Sequence, residues 1–132
     1  MNPYSKYQKA SSLSWTRIDM LMVVYDQTVF ALDEGTRLLE DNRFTELTPV
    51  RLRAMRALVA IVDGLDLGQP GLPVQILRLV EFSLEQIKSH SPASWRAASD
   101  VIGKVREGFQ EIQEQARIDE YEGRIPALNA VG

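Results

Sequence analysis

The feature that constrains this chain most is a helical repeat of apolar residues that extends over most of its length. Apolar side chains recur three and four positions apart in four successive stretches, which is the spacing of one face of an α-helix. No stretch shows the convincing alternation of apolar and polar residues that is typical of a β-strand. The pattern therefore predicts an all-α chain.

Helix-start signals place the first two predicted helices. The first is predicted over 17–40, with Thr16 as its N-cap. The second is predicted to begin near Thr48, which would cap it, with Pro49 in the first helical position. The pattern also allows the second helix to begin near Thr45.

A turn rich in glycine and proline at 67–71 precedes the third predicted helix. That helix is predicted over 73–89 and the fourth over 92–118. Since the connections are short, the sequence predicts an antiparallel up-down four-helix bundle.

The remaining residues lie outside this predicted bundle, which takes up 16–118. Residues 1–15 are polar with scattered aromatic side chains, and they indicate an extended N-terminal arm. Residues 119–132 contain two glycines and a proline, and they indicate a flexible tail.

The charge distribution argues against a nucleic-acid partner. The net charge is −3, and the 15 Lys and Arg residues are spread along the chain. Nucleic-acid binders usually concentrate basic charge on one face. We interpret the neighbouring Arg51, Arg53 and Arg56 as a solvated helix face.

The apolar runs argue against membrane insertion. The longest run covers only 20–25, whereas a spanning helix needs roughly 18 apolar residues or more. The first eight residues lack the apolar core of a signal peptide. We therefore expect no direct membrane insertion and a cytoplasmic location.

Residues suited to catalysis or metal binding are sparse. The chain has no cysteine and a single histidine, His90, in a predicted loop. Asp19, Asp26 and Asp33 are spaced by seven and share one side of the first helix, which we interpret as a solvated acidic edge. Asp26 directly follows an apolar run, so we single it out as a residue that caps or tethers a neighbouring segment. We expect no enzymatic activity, no cofactor and no metal.

The first two predicted helices carry more apolar surface than one core-facing stripe requires. In the second, Leu52, Met55, Val59 and Val62 form a stripe beside the main one. Such an excess fits a generous core, a homodimer interface, or a groove for an amphipathic helix of a partner. Composition does not choose between these structures.

Five short motifs occur in an order that one known family shares, and their spacings match those of the family apart from about one residue near the third predicted helix. They are Asn2-Pro3-Tyr4 with Tyr7-Gln8, the run 21–26 ending in Tyr25-Asp26, Arg53-Ala54 with Leu65-Asp66, the segment 79–84, and the segment 106–112. Together they resemble the flagellar secretion chaperone family FliS over residues 2–112. The chain is similar to a divergent member, because Arg17 and Gln27 replace a proline and a glycine of the family pattern.

The resemblance implies a cytoplasmic chaperone for flagellin. Members of this family bind the disordered C-terminal segment of flagellin, prevent its premature polymerisation and deliver it to the flagellar type III export gate. On this basis the arm residues Tyr4, Tyr7 and Gln8 would cover the empty groove and contact the export machinery. Asp26 would orient Tyr25 or the arm by hydrogen bonding. The client-binding surface would comprise Met22, Tyr25, Met55, Val59, Val62, Leu65 and Leu77.

Three other hypotheses remain open. The first is a regulatory adaptor bundle that binds another flagellar or signalling protein. The second is a small enzyme or metal protein, which would need a cluster of titratable groups inside the bundle. The third is a structural homodimer without a client. The sequence does not decide between a monomer and a homodimer.

Overall fold

A computed structural model describes residues 17–123, and the structural statements below concern those residues. This part of the chain is helical and contains no strand, which confirms the predicted all-α class. A short 3-10 helix at Phe44–Glu46 connects the first two α-helices. The four α-helices are α1 (Arg17–Glu40), α2 (Leu47–Asp63), α3 (Leu72–Gln86) and α4 (Pro92–Tyr121).

The helices form the predicted four-helix bundle. Each helix packs against the next one along the chain, and α4 returns to pack along α1, which closes the bundle. The α1–α4 contact is the most extensive, and the α2–α3 contact is the least extensive of the four. The two longest helices, α1 and α4, therefore share the largest helix-to-helix interface of the bundle.

Most helix boundaries lie close to their predicted positions. Helix α1 has the predicted bounds, whereas α2 begins at Leu47, so Thr48 lies inside its first turn and is not its cap. The 3-10 helix leads directly into α2 through Glu46, whose backbone is already near-helical. Helix α3 ends at Gln86, and α4 continues to Tyr121, three residues beyond the predicted end. The predicted arm, Thr16 and residues 124–132 lie outside the described residues.

Trp95 of α4 lies at the centre of the core and is fully buried. Its ring packs directly on Gly35 of α1, where an added Cβ would lie only 2.3 Å from the ring carbon Cζ3. The indole Nε1 donates a hydrogen bond to the Ser89 carbonyl at 2.9 Å. Glycine at position 35 therefore allows α1 and α4 to approach closely at this point.

Arg51 also contributes to this part of the core, contrary to its interpretation as part of a solvated helix face. Its guanidinium lies over the Trp95 ring, 5.9 Å from the ring centroid. Its Nε donates a hydrogen bond to the Ile87 carbonyl at 2.8 Å, which links α2 to the C-terminal end of α3. Arg53 and Arg56 are exposed, as predicted.

Candidate partner-binding surface

Two of the predicted client-binding residues, Met22 and Tyr25, lie in the core. Both side chains are fully buried. The Tyr25 ring packs against Phe109 of α4, with ring centroids 5.5 Å apart. Burial raises the pKa of the Tyr25 hydroxyl well above its ordinary value, and this hydroxyl has no hydrogen-bond partner among residues 17–123. These residues stabilise the fold and present no surface to a partner.

Asp26 tethers a neighbouring helix. Its carboxylate forms an ion pair with the Arg106 guanidinium of α4, in which the Arg106 Nε donates to Asp26 Oδ1. The Asp26 side chain is nearly buried, and that of Arg106 is 31% exposed. The tether joins α1 to α4, whereas the resemblance suggested that Asp26 orients Tyr25 or the arm.

The other two aspartates of α1 also bond to α4. Asp19 is buried, and it accepts hydrogen bonds from Arg117 at 2.5 Å and from Gln113 at 3.1 Å. Its hydrogen bond to Arg117 raises the pKa of that guanidinium further. Asp33 accepts a hydrogen bond from the Ser99 hydroxyl. The predicted solvated acidic edge is therefore wrong for Asp19, because the facing side of α4 supplies matching donors at the same seven-residue spacing. Asp26, which was singled out from this edge as a tether, pairs with Arg106.

The outer face of α2 carries three large apolar side chains in contact with solvent. Leu52, Met55 and Val59 are 47%, 41% and 49% exposed. Their spacing of three and four places them on one side of the helix. We call these three residues the α2 stripe. Leu52 was not among the predicted site residues, although its position in the second apolar stripe of this helix was a usable signal.

The other predicted residues of this surface are more deeply placed. Val62 and Leu65 are half-buried and pack against the core, and Leu77 is half-buried on α3. Among the described residues of the predicted site, Met55 and Val59 alone are exposed. The predicted arm residues Tyr4, Tyr7 and Gln8 lie outside the described residues.

A second apolar surface lies between the first turns of α1, the end of α2 and the last turns of α4. It encloses a cavity of about 420 Å³, and we call it the α1–α4 groove. Met20 and Ile112, on its sides, are 40% and 52% exposed. Its apolar lining is completed by Ile18, Leu21, Val24, Ala60, Gly64, Phe109 and Ala116.

A polar cavity of about 570 Å³ lies at the connection between α1 and α2. Its lining includes three arginines and three carboxylates. Arg43 pairs with Glu46, and Arg53 pairs with Glu34 at 3.0 Å. Since the charges compensate each other locally, this cavity is not selective for a ligand of either sign.

The described part of the chain carries no group of three or more residues suited to hold a metal ion. Within residues 17–123, no helix is both long and apolar enough to cross a membrane. His90 lies on the surface, with its ring edge-on to Phe44 at a centroid distance of 6.3 Å.

A comparison with protein-family models gives no match to this chain. Comparisons with curated protein sequences and with solved structures give no match either.

Proposed function

We propose that this chain is a cytoplasmic export chaperone for flagellin. It binds the disordered C-terminal segment of flagellin, prevents premature polymerisation and delivers the segment to the flagellar export gate. The observation that carries this proposal is the α2 stripe, a row of large apolar side chains left in contact with solvent on one helix. The sequence resemblance to the FliS family supplies the identity of the client.

The α2 stripe has the spacing that suits a helical partner. Leu52, Met55 and Val59 lie at positions i, i+3 and i+7, which is the pattern of anchors in helix-to-helix packing. An amphipathic segment laid along this face removes apolar surface of both partners from water. Met55 adds adaptability, because an unbranched thioether side chain adjusts to different partner surfaces.

A positive charge beside the α2 stripe adds a preference for acidic residues in the client. Arg56 lies between Leu52 and Val59 on the helix surface and is exposed. A positive charge at the rim of an apolar strip favours acidic side chains beside the apolar positions of a partner. We therefore expect the bound segment to carry a carboxylate near its central apolar anchor.

The energetics of a disordered client suit a chaperone that must release its cargo. The segment loses conformational entropy when it becomes helical, and this loss is subtracted from the free energy of the contacts. Binding is then moderate despite a long interface, and dissociation remains fast enough for transfer. No nucleotide is required for this cycle.

Calorimetric titration of the purified chain with a synthetic flagellin C-terminal segment tests the proposal. We expect saturable one-to-one binding with a negative heat-capacity change and a gain of helix in the segment by circular dichroism. A matched control is the same segment with its apolar positions exchanged for serine, which should not bind. Absence of binding at high micromolar concentration, with the chain well folded, would overturn the flagellin assignment and favour the adaptor hypothesis.

A further inference from the structure

A row of residues on α4 faces away from α1. Three side chains of α4 bond to α1, and they belong to Ser99, Arg106 and Gln113. A step of two residues rotates the position on a helix by about 200°, so the residues two positions from these three lie on the opposite side of α4. This row comprises Val101, Lys104, Gly108 and Glu111, of which Val101 is half-buried and the other three are exposed.

A matching row runs along α3. It consists of the residues that directly precede the buried positions 76, 80, 83 and 87, and these are Gln75, Leu79, Phe82 and Gln86. On α4, Val101 and Gly108 likewise directly precede residues of the core. Antiparallel helices that pack side by side are related by a local two-fold axis, so the same offset from the core places both rows on one side of the helix pair. We call the two rows the α3–α4 face.

The α3–α4 face is largely uncharged and partly apolar. Phe82 is 40% exposed, and Leu79 and Val101 are half-buried. Lys104 and Glu111 are the two charged members of the face, and neither forms an ion pair within residues 17–123. They lie seven residues apart, about 10 Å along the helix, which is too far for them to pair with each other. A partner of this face therefore needs apolar groups and one charge of each sign.

A second copy of α4 meets this requirement by symmetry. Lys104 lies four residues before Gly108, and Glu111 lies three residues after it. When two α4 helices lie antiparallel with a two-fold axis beside Gly108, Lys104 of each copy comes to the level of Glu111 of the other. The surface is then complementary to itself, as a two-fold interface requires.

Gly108 suits the position beside such an axis. A Cβ added at Gly108 would meet no atom within 4 Å, so packing within one chain does not require a glycine there. Glycine lowers the stability of a helix interior relative to alanine. Its presence on the exposed side of α4 allows a second helix backbone to approach closely.

We propose that the α3–α4 face is the interface of an antiparallel homodimer, with Gly108 beside the two-fold axis and two symmetric pairs between Lys104 and Glu111. Association also removes Phe82 from water. This inference does not depend on the flagellin assignment, because the α2 stripe lies on a different helix and stays available in the dimer.

Sedimentation equilibrium of the full chain, from low to high micromolar concentration, tests the inference with charge-reversal variants. We expect the unmodified chain to approach twice the mass of one chain. Lys104→Glu and Glu111→Lys should each weaken association at least about tenfold, because like charges then face each other twice. An equimolar mixture of the two variants should associate again, and so should the double variant Lys104→Glu/Glu111→Lys. The matched control is Lys88→Glu, since Lys88 is exposed and lies outside the face.

A second test uses the glycine. Gly108→Gln should weaken association at least about tenfold by separating the two helices, while the monomer resists urea at least as well as before. Gly103→Gln is its control, because a Cβ added at Gly103 also meets no atom within 4 Å. A chain that stays monomeric at high micromolar concentration would overturn the inference and leave the flagellin proposal untouched. A dimer that forms equally well with Lys104→Glu and with Gly108→Gln would also overturn it, because another surface would then join the two copies.

Discussion

Replacement of Gly35 by alanine tests the closest contact between α1 and α4. The new Cβ would lie 2.3 Å and 2.4 Å from the Trp95 ring carbons Cζ3 and Cε3. Ordinary contact distances for a Cβ are 3.4–4 Å, so the ring or α1 must move by more than an ångström. The ring is fully buried and hydrogen-bonded to Ser89, which leaves it little freedom to move.

Two effects of opposite sign decide the stability of this variant. Alanine favours a helix interior over glycine by up to about 1 kcal/mol. Overpacking of a well-packed core costs typically about 1–3 kcal/mol, and a fully buried indole places this site at the upper end. We therefore expect Gly35→Ala to lower the free energy of unfolding by about 1–2 kcal/mol.

Urea denaturation followed by circular dichroism measures this change. Gly103→Ala on α4 is the matched control, because an added Cβ there meets no atom within 4 Å. This control should be stabilised by up to about 1 kcal/mol. The double variant Gly35→Ala/Trp95→Leu should show a favourable coupling above about 1 kcal/mol relative to the single variants. If Gly35→Ala proves as stable as Gly103→Ala, the proposed contact between α1 and Trp95 is refuted.

Three further predictions concern the core, the α1–α4 contact and the α2 stripe. Tyr25→Phe should not lower stability at pH 7, because the buried hydroxyl has no hydrogen-bond partner among residues 17–123. Burial raises the pKa of Tyr25 in the folded state above its value of about 10 in the unfolded chain. The neutral hydroxyl therefore contributes fully to the free energy of unfolding below pH 10, and this contribution is lost as the pH rises above 10. Urea titrations from pH 7 to 11 should therefore show a smaller alkaline loss for Tyr25→Phe than for the unmodified chain, and an equal loss would contradict this. Asp26→Asn should lower the free energy of unfolding by about 1–3 kcal/mol, because Arg106 keeps its charge without its partner. The double variant Asp26→Asn/Arg106→Gln should recover part of that loss in a double-mutant cycle. Met55→Asp should change the free energy of unfolding by no more than about 0.5 kcal/mol, because its side chain is 41% exposed, and a larger loss would place Met55 in the core.

The sequence predicted the helices well because their signals are local. The apolar period and the Thr16 cap signal located α1 at its observed bounds. With the Gly and Pro signals at the later connections, the same period located the other helices within a few residues. The start of α2 was less predictable, since a 3-10 helix leads into it without a side-chain cap. A residue such as Thr48 caps a helix only where its own backbone is non-helical, and here Thr48 already lies inside α2.

The roles of individual apolar residues were less predictable because they depend on the facing helix. The sequence pattern around a residue such as Tyr25 is the same whether a neighbouring helix or a client covers its side chain. In this bundle Phe109 covers it, and Met55 remains exposed. The contact of Gly35 with Trp95 joins residues far apart in sequence and has no local signal.

The polar residues between α1 and α4 show where an available signal was missed. Asp19, Asp26 and Asp33 repeat every seven residues, and so do Ser99, Arg106 and Gln113 on α4. The two sets run in opposite directions and meet residue by residue. A search for complementary heptads in the sequence would have predicted this contact and the burial of Asp19 and Asp26.

The central claim is that the α2 stripe binds the flagellin C-terminal segment, and calorimetry on matched variants tests it most directly. The test variant is Met55→Asp/Val59→Asp, and the control is Phe30→Asp on α1, whose native side chain is 40% exposed. Apolar anchors each contribute about 1–2 kcal/mol to binding, so the test variant should bind at least about tenfold more weakly while remaining folded. The control should bind like the unmodified chain. Equal affinity of the test variant and the unmodified chain would contradict the claim, because the segment would then bind elsewhere.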